Sequence, residues 1–151
     1  MAIAIWLSYA SHYPLTFTQE DHRVLSVEEL SSKGSPECQE AFAYLREQLK
    51  SDQNISESVE YEPLKEAEAP SYNIRDTPRV RAFFGEKLEL FLFIPEKSVA
   101  NIKADASVPE ALRAWVDRAQ LGGMSRLLRV QLSTKKDTEV LMPLIKAVTR
   151  Q

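Results

Sequence analysis

A chain of 151 residues, 44% hydrophobic and 27% charged, has the length of one domain and an ordinary globular composition. Its single cysteine, Cys38, excludes an internal disulfide framework and a multi-cysteine zinc site, and its longest apolar runs, about seven residues, fall far short of the roughly 20 that a spanning helix needs. The formal charge of −3 hides a division: residues 1–70 hold 13 Asp/Glu against 5 Lys/Arg, and residues 71–151 hold 9 against 14.

Met1–Tyr9 is apolar and rich in β-formers, and it reads as a buried first strand, with a short helix as the alternative. A loop through Pro14 follows, and then a helix from Thr18 to about Leu30. Ser35-Pro36-Glu37 is a helix start with a cap, a proline at the first position and an acid placed for the dipole. Cys38, Ala41, Phe42, Leu45 and Leu49 form its apolar stripe, and it ends near Ser51. Residues 52–70 carry six Asp/Glu against Lys65 alone and few large apolar side chains, so they read as a solvated, partly flexible acidic connector.

Arg79–Ile94 reads as a β-hairpin turning at Gly85. A two-residue turn would bury Arg79 and Arg81 on the apolar face of the leucines, which is costly without partners. A turn over Gly85–Lys87 avoids this by pairing Phe84 with Leu88. Val80, Ala82 and Phe84 then share a face with Leu88, Leu90, Leu92 and Ile94, while Arg79, Arg81, Phe83, Glu89, Phe91 and Phe93 share the other. Ser107–Glu110 opens another helix with Leu112, Trp115, Val116 and Ala119 inward, ended by Gly122-Gly123. Arg126–Leu132 is a strand. Thr134 or Asp137 caps a last helix with Val140, Leu141, Leu144, Ile145 and Val148 on its core side and Pro143 in its first turns or at a kink. The expected fold is a single α+β domain over residues 1–151, with about four mainly antiparallel strands packed against about four helices.

The chain carries no motif set that assigns it to a family. Its four glycines form no phosphate-binding loop, and it lacks HExxH and GxSxG. His12 and His22 have no recognised metal-ligand spacing, so neither a metal nor a cofactor is expected. Cys38 falls on an apolar stripe and reads as a core residue rather than a nucleophile. The sharper candidate is the Arg79, Arg81, Phe83, Glu89, Phe91 and Phe93 face, where arginines stack on aromatics. Such a face suits a protein interface, because Arg and aromatic residues supply hot spots there. The expectation is a non-enzymatic binding module for another protein, of inhibitor, immunity or adaptor type, with a homodimer as one form of that partner. It is expected in the cytoplasm, with no membrane role. One alternative is single-stranded nucleic acid bound on the same basic and aromatic face. Another is a small hydrolase or nuclease using His12 and His22.

Overall fold

The structure, a computed structural model, describes residues 25–151. The strand expected at Met1–Tyr9, the loop after it, His12, His22 and the first part of the helix expected from Thr18 lie outside these residues.

The described fold is α+β, built on one sheet of six antiparallel strands rather than about four. Their order across the sheet is β1 (Ile55–Glu62), β2 (Ala67–Ile74), β3 (Thr77–Phe83), β4 (Leu88–Pro95), β6 (Ser125–Leu132) and β5 (Gln120–Gly122). The acidic connector is therefore corrected: residues 52–70 supply all of β1 and the start of β2, paired from Ile55↔Ile74 to Glu62↔Ala67. Pro63–Glu66 turns this hairpin, with Glu66 at φ 48°.

Helix α1 (Val27–Ser31) begins at a capping box in which Ser26 and Glu29 exchange hydrogen bonds, so a helix start falls at Ser26, inside the span expected to be one helix to about Leu30. Helix α2 (Pro36–Lys50) starts as the sequence predicts: the Ser35 hydroxyl accepts from Cys38 N–H, and Pro36 opens the helix. Ser35 also donates its N–H to Gly85 and its hydroxyl to Glu86, tying the start of α2 to the β3–β4 turn. A 3-10 turn at Glu96–Ser98 leads into α3 (Val99–Lys103). The helix expected after Ser107 is two short ones, α4 (Glu110–Arg113) and α5 (Trp115–Arg118), with Leu112, Val116 and Ala119 buried. Gly122-Gly123 does not end that helix. It turns the β5–β6 hairpin, with Gly123 at φ +77° between the paired Gly122 and Ser125.

Helix α6 (Lys135–Thr149) is capped by Thr134 and contains Pro143. Leu141, Leu144, Ile145 and Val148 are buried as expected, whereas Val140 points to solvent. The main core joins these residues and the α2 stripe to Tyr72, Val80, Leu88, Leu90, Leu92, Ile94, Leu128 and Val130 on one sheet face. A second, smaller cluster on the opposite face is built from strand residues alone: Ala69, Phe83 and Phe91, with Phe93 and Leu127 against it.

Candidate functional site

The β3–β4 pairing is Val80↔Leu92, Arg81↔Phe91, Ala82↔Leu90 and Phe83↔Glu89, the register of the longer turn. It places Arg81, Phe83, Glu89, Phe91 and Phe93 on the face away from the helices. Phe83 and Phe91 lie 4.7 Å apart between ring centroids, and Phe91 and Phe93 lie 6.2 Å apart. Arg81 sits 5.5 Å from the Phe93 ring centre, and Arg129 sits 4.8 Å from that of Phe91.

Most of this surface is already engaged. Phe91 is fully buried, and Phe83 nearly so. Arg81 donates to Glu62 at 2.9 Å and to the Ser71 hydroxyl at 3.2 Å. The chain of bonds continues, with Ser71 donating to Asn73 and Asn73 to Ser58. Glu89 pairs with Lys65 and lies 3.6 Å from Arg129. Polarity along the hairpin brought out Arg81 and the phenylalanines. It missed Glu62 and Lys65, whose partnership depends on strand neighbours distant in sequence.

Arg79 departs from its expected place. Tyr72 pairs with Val80 but Asn73 with Pro78, so Arg79 is an extra residue in β3. A bulge re-aims its side chain, and Arg79 does not join Arg81 on the phenylalanines. Its guanidinium instead reaches the main-chain oxygen of Gln151, beyond α6, at 3.4 Å and that of Pro78 at 3.5 Å. Arg79 is only 7% exposed and its Nε has no hydrogen-bond partner among the described residues. Burial pushes the guanidinium below its ordinary pKa.

A groove of about 700 Å³ lies at this end of the sheet. The β3–β4 pairs stop at Val80↔Leu92, although both strands continue to Thr77 and Pro95. Pro78 and Pro95 stand in these ends, paired instead with Asn73 of β2 and Ser125 of β6, and have no N–H to give to a ladder between them. The groove is lined by residues of these two ends, among them Arg79, Phe93 and Pro95, and by Met124 at the tip of the β5–β6 hairpin. Met124 is 90% exposed. Two rim groups are charged, Glu96 and Lys97. Arg126 holds both Glu96 oxygens, at 2.9 and 2.7 Å, and keeps that carboxyl below its ordinary pKa. Lys97 is exposed and makes no ion pair among the described residues.

Catalytic and metal chemistry find little among the described residues. No group of three or more His, Cys, Asp or Glu side chains is placed to hold a metal ion. Cys38 is buried in the main core, and desolvation raises its thiol pKa, the opposite of an activated nucleophile. None of the described helices is long and apolar enough to cross a membrane.

No protein family matches the chain, and no curated protein or solved structure is detectably similar to it.

Proposed function

We propose that this chain is a non-enzymatic module that binds another protein, of inhibitor, immunity or adaptor type, and that the groove at the open end of the β3–β4 ladder is its contact site. The observation that carries the reading is the exposed Met124 beside the apolar walls of Phe93 and Pro95. A large apolar side chain held in water at the rim of an apolar recess is characteristic of an interaction surface. The arginine and phenylalanine face is the less favoured site, because Phe91 is buried and Arg81 is held by Glu62. The same engagement weakens the single-stranded nucleic-acid alternative: Arg79 is buried, and Arg126 is held by Glu96.

The test is binding of a partner recovered from the native cell to the wild type, to Met124→Asp and to Val140→Asp. Val140 is also exposed, but it lies on α6 and not in the groove. The reading predicts that binding is lost with Met124→Asp and kept with Val140→Asp. Equal binding by all three excludes the groove.

A further inference from the structure

The two edges of the sheet are built differently. Edge strand β5 is three residues long and ends in Gly122, whereas edge strand β1 runs for eight residues with no proline, glycine, lysine or arginine. Its pairing with β2 is unbroken from Ile55↔Ile74 to Glu62↔Ala67, and no described strand lies on its other side. Short length, proline, lysine and bulges are the usual devices that stop a sheet edge from adding a strand, and β1 has none of them.

The outward backbone groups of β1 follow from Pro70. Val59 faces Pro70, which has no N–H and so cannot exchange two hydrogen bonds with it. Pairs alternate along an antiparallel ladder, so Ser56, Ser58, Glu60 and Glu62 bond to β2, while Glu57, Val59 and Tyr61 turn N–H and C=O to the edge. Ile55 offers the edge only its C=O, because its N–H donates to Asp52. On the helix side, Ile55 and Val59 are half-buried against the main core and Tyr61 is 55% exposed. On the other side, Ser56 and Glu60 are exposed. Glu57 and Glu62 spend their charge on Arg46 and Arg81, so Glu60 is the carboxylate that an added strand has to accommodate.

We infer that β1 pairs with β1 of a second copy of this chain, antiparallel about a two-fold axis at Ser58, joining the two sheets into one. In this register Glu57 faces Val59 of the second copy, Ile55 faces Tyr61 and Glu60 faces Ser56, so no carboxylate faces another and the exposed Tyr61 packs on a half-buried apolar neighbour. An axis at Glu57 or Glu60 would set glutamates face to face, and one at Val59 would set the two Glu60 side chains diagonally adjacent. The outward groups of Glu57 and Val59 meet as hydrogen-bonded pairs, and the two Ser58 side chains meet as a close pair between them. This contact is separate from the groove and does not rest on the reading given to it.

The experiment is oxidative cross-linking of the full chain carrying Ser58→Cys, beside Val59→Cys and Val140→Cys, with sedimentation of the wild type over a concentration series. Cys38 is fully buried and does not compete. The wild type is expected to dimerise, and Ser58→Cys to form its disulfide at least about tenfold faster than Val140→Cys, because the axis holds the two thiols together. Tyr61→Pro removes an outward N–H without touching the β1–β2 ladder, and it should weaken the dimer about tenfold or more, since the two-fold doubles each lost bond. Met124→Asp should leave the dimer unchanged. Cross-linking fastest at Val59→Cys overturns the axis at Ser58. A dimer indifferent to Tyr61→Pro, or lost with Met124→Asp, overturns the edge as its contact. A wild type that stays monomeric overturns the second copy, and hydrogen exchange at the Glu57 and Val59 amides then separates an edge filled from within the chain, where exchange is slow, from one left open, where it is fast.

Discussion

Glu62 and Arg81 meet at 2.9 Å across β2, on the sheet face away from the helices, with side chains 6% and 15% exposed. One belongs to the acidic half of the sequence and the other to the basic half. Glu62 uses its second oxygen to accept the Leu64 N–H, and Arg81 lies over Phe93. Part of the charge division is therefore resolved inside the fold, where the acidic hairpin lies beside the basic one.

A pair this well buried is expected to be costly to break and inexpensive to replace. Glu62→Gln should lower the unfolding free energy in urea by about 3 kcal/mol, because it strands the guanidinium. Glu62→Leu with Arg81→Met should recover most of that loss. A single substitution within about 0.5 kcal/mol of wild type would show that the pair contributes little.

Glu57 makes a second such link, accepting two bonds from Arg46 at 2.8 and 3.0 Å and one from the Tyr72 hydroxyl at 2.8 Å. Burial pushes its carboxyl pKa up, but the Arg46 and Tyr72 hydrogen bonds outweigh that and hold it below its ordinary value of 4.5. A group depressed in the folded state adds stability above its unfolded pKa and loses it as pH falls through the folded one. Stability should therefore decline as acid is taken below about pH 4.5, and Glu57→Gln should flatten part of that decline while lowering stability at neutral pH. An acid limb unchanged by Glu57→Gln would contradict this. Tyr72, deeply buried and donating to Glu57, has its pKa raised, so it stays a neutral donor throughout this window.

Gly34 tests how tightly the entry to α2 is packed. A Cβ added there would lie 2.7 Å from Cys38 Sγ and 3.1 Å from Cys38 Cβ, and Cys38 is fully buried. Gly34→Ala should cost about 1–3 kcal/mol through overpacking. With Cys38→Ala also present, the combined loss should be smaller than the sum of the two single losses, measured by thermal or urea unfolding. Additive losses would place the strain elsewhere.

What the sequence made legible, and what it did not, follows from where the causes lie. Ser35-Pro36 and Thr134 announce their helices because caps are local chemistry. The β3–β4 register was legible because only one choice keeps Arg81 off the leucine face. The β1–β2 hairpin was not: β1 is an edge strand whose glutamates look solvated until Arg46 and Arg81 are placed beside Glu57 and Glu62. Pro70 further disguises β2, since proline argues against an inner strand. The Arg79 bulge left no mark in the hairpin pattern, so a residue read as part of the aromatic face lies instead at the groove. Met124 and Lys97 drew no attention, because their role depends on β3 and β4 parting at Val80 and Leu92.

The most direct test of the central claim is an amide chemical-shift map of the chain titrated with a bound peptide or partner fragment. The account predicts that the largest perturbations gather at Thr77–Arg79, Phe93–Lys97 and Gly123–Ser125, around the groove. Perturbations centred instead on the Phe83, Phe91 and Arg129 face, or on the exposed side of α6 around Val140, with the groove amides unmoved, would contradict it.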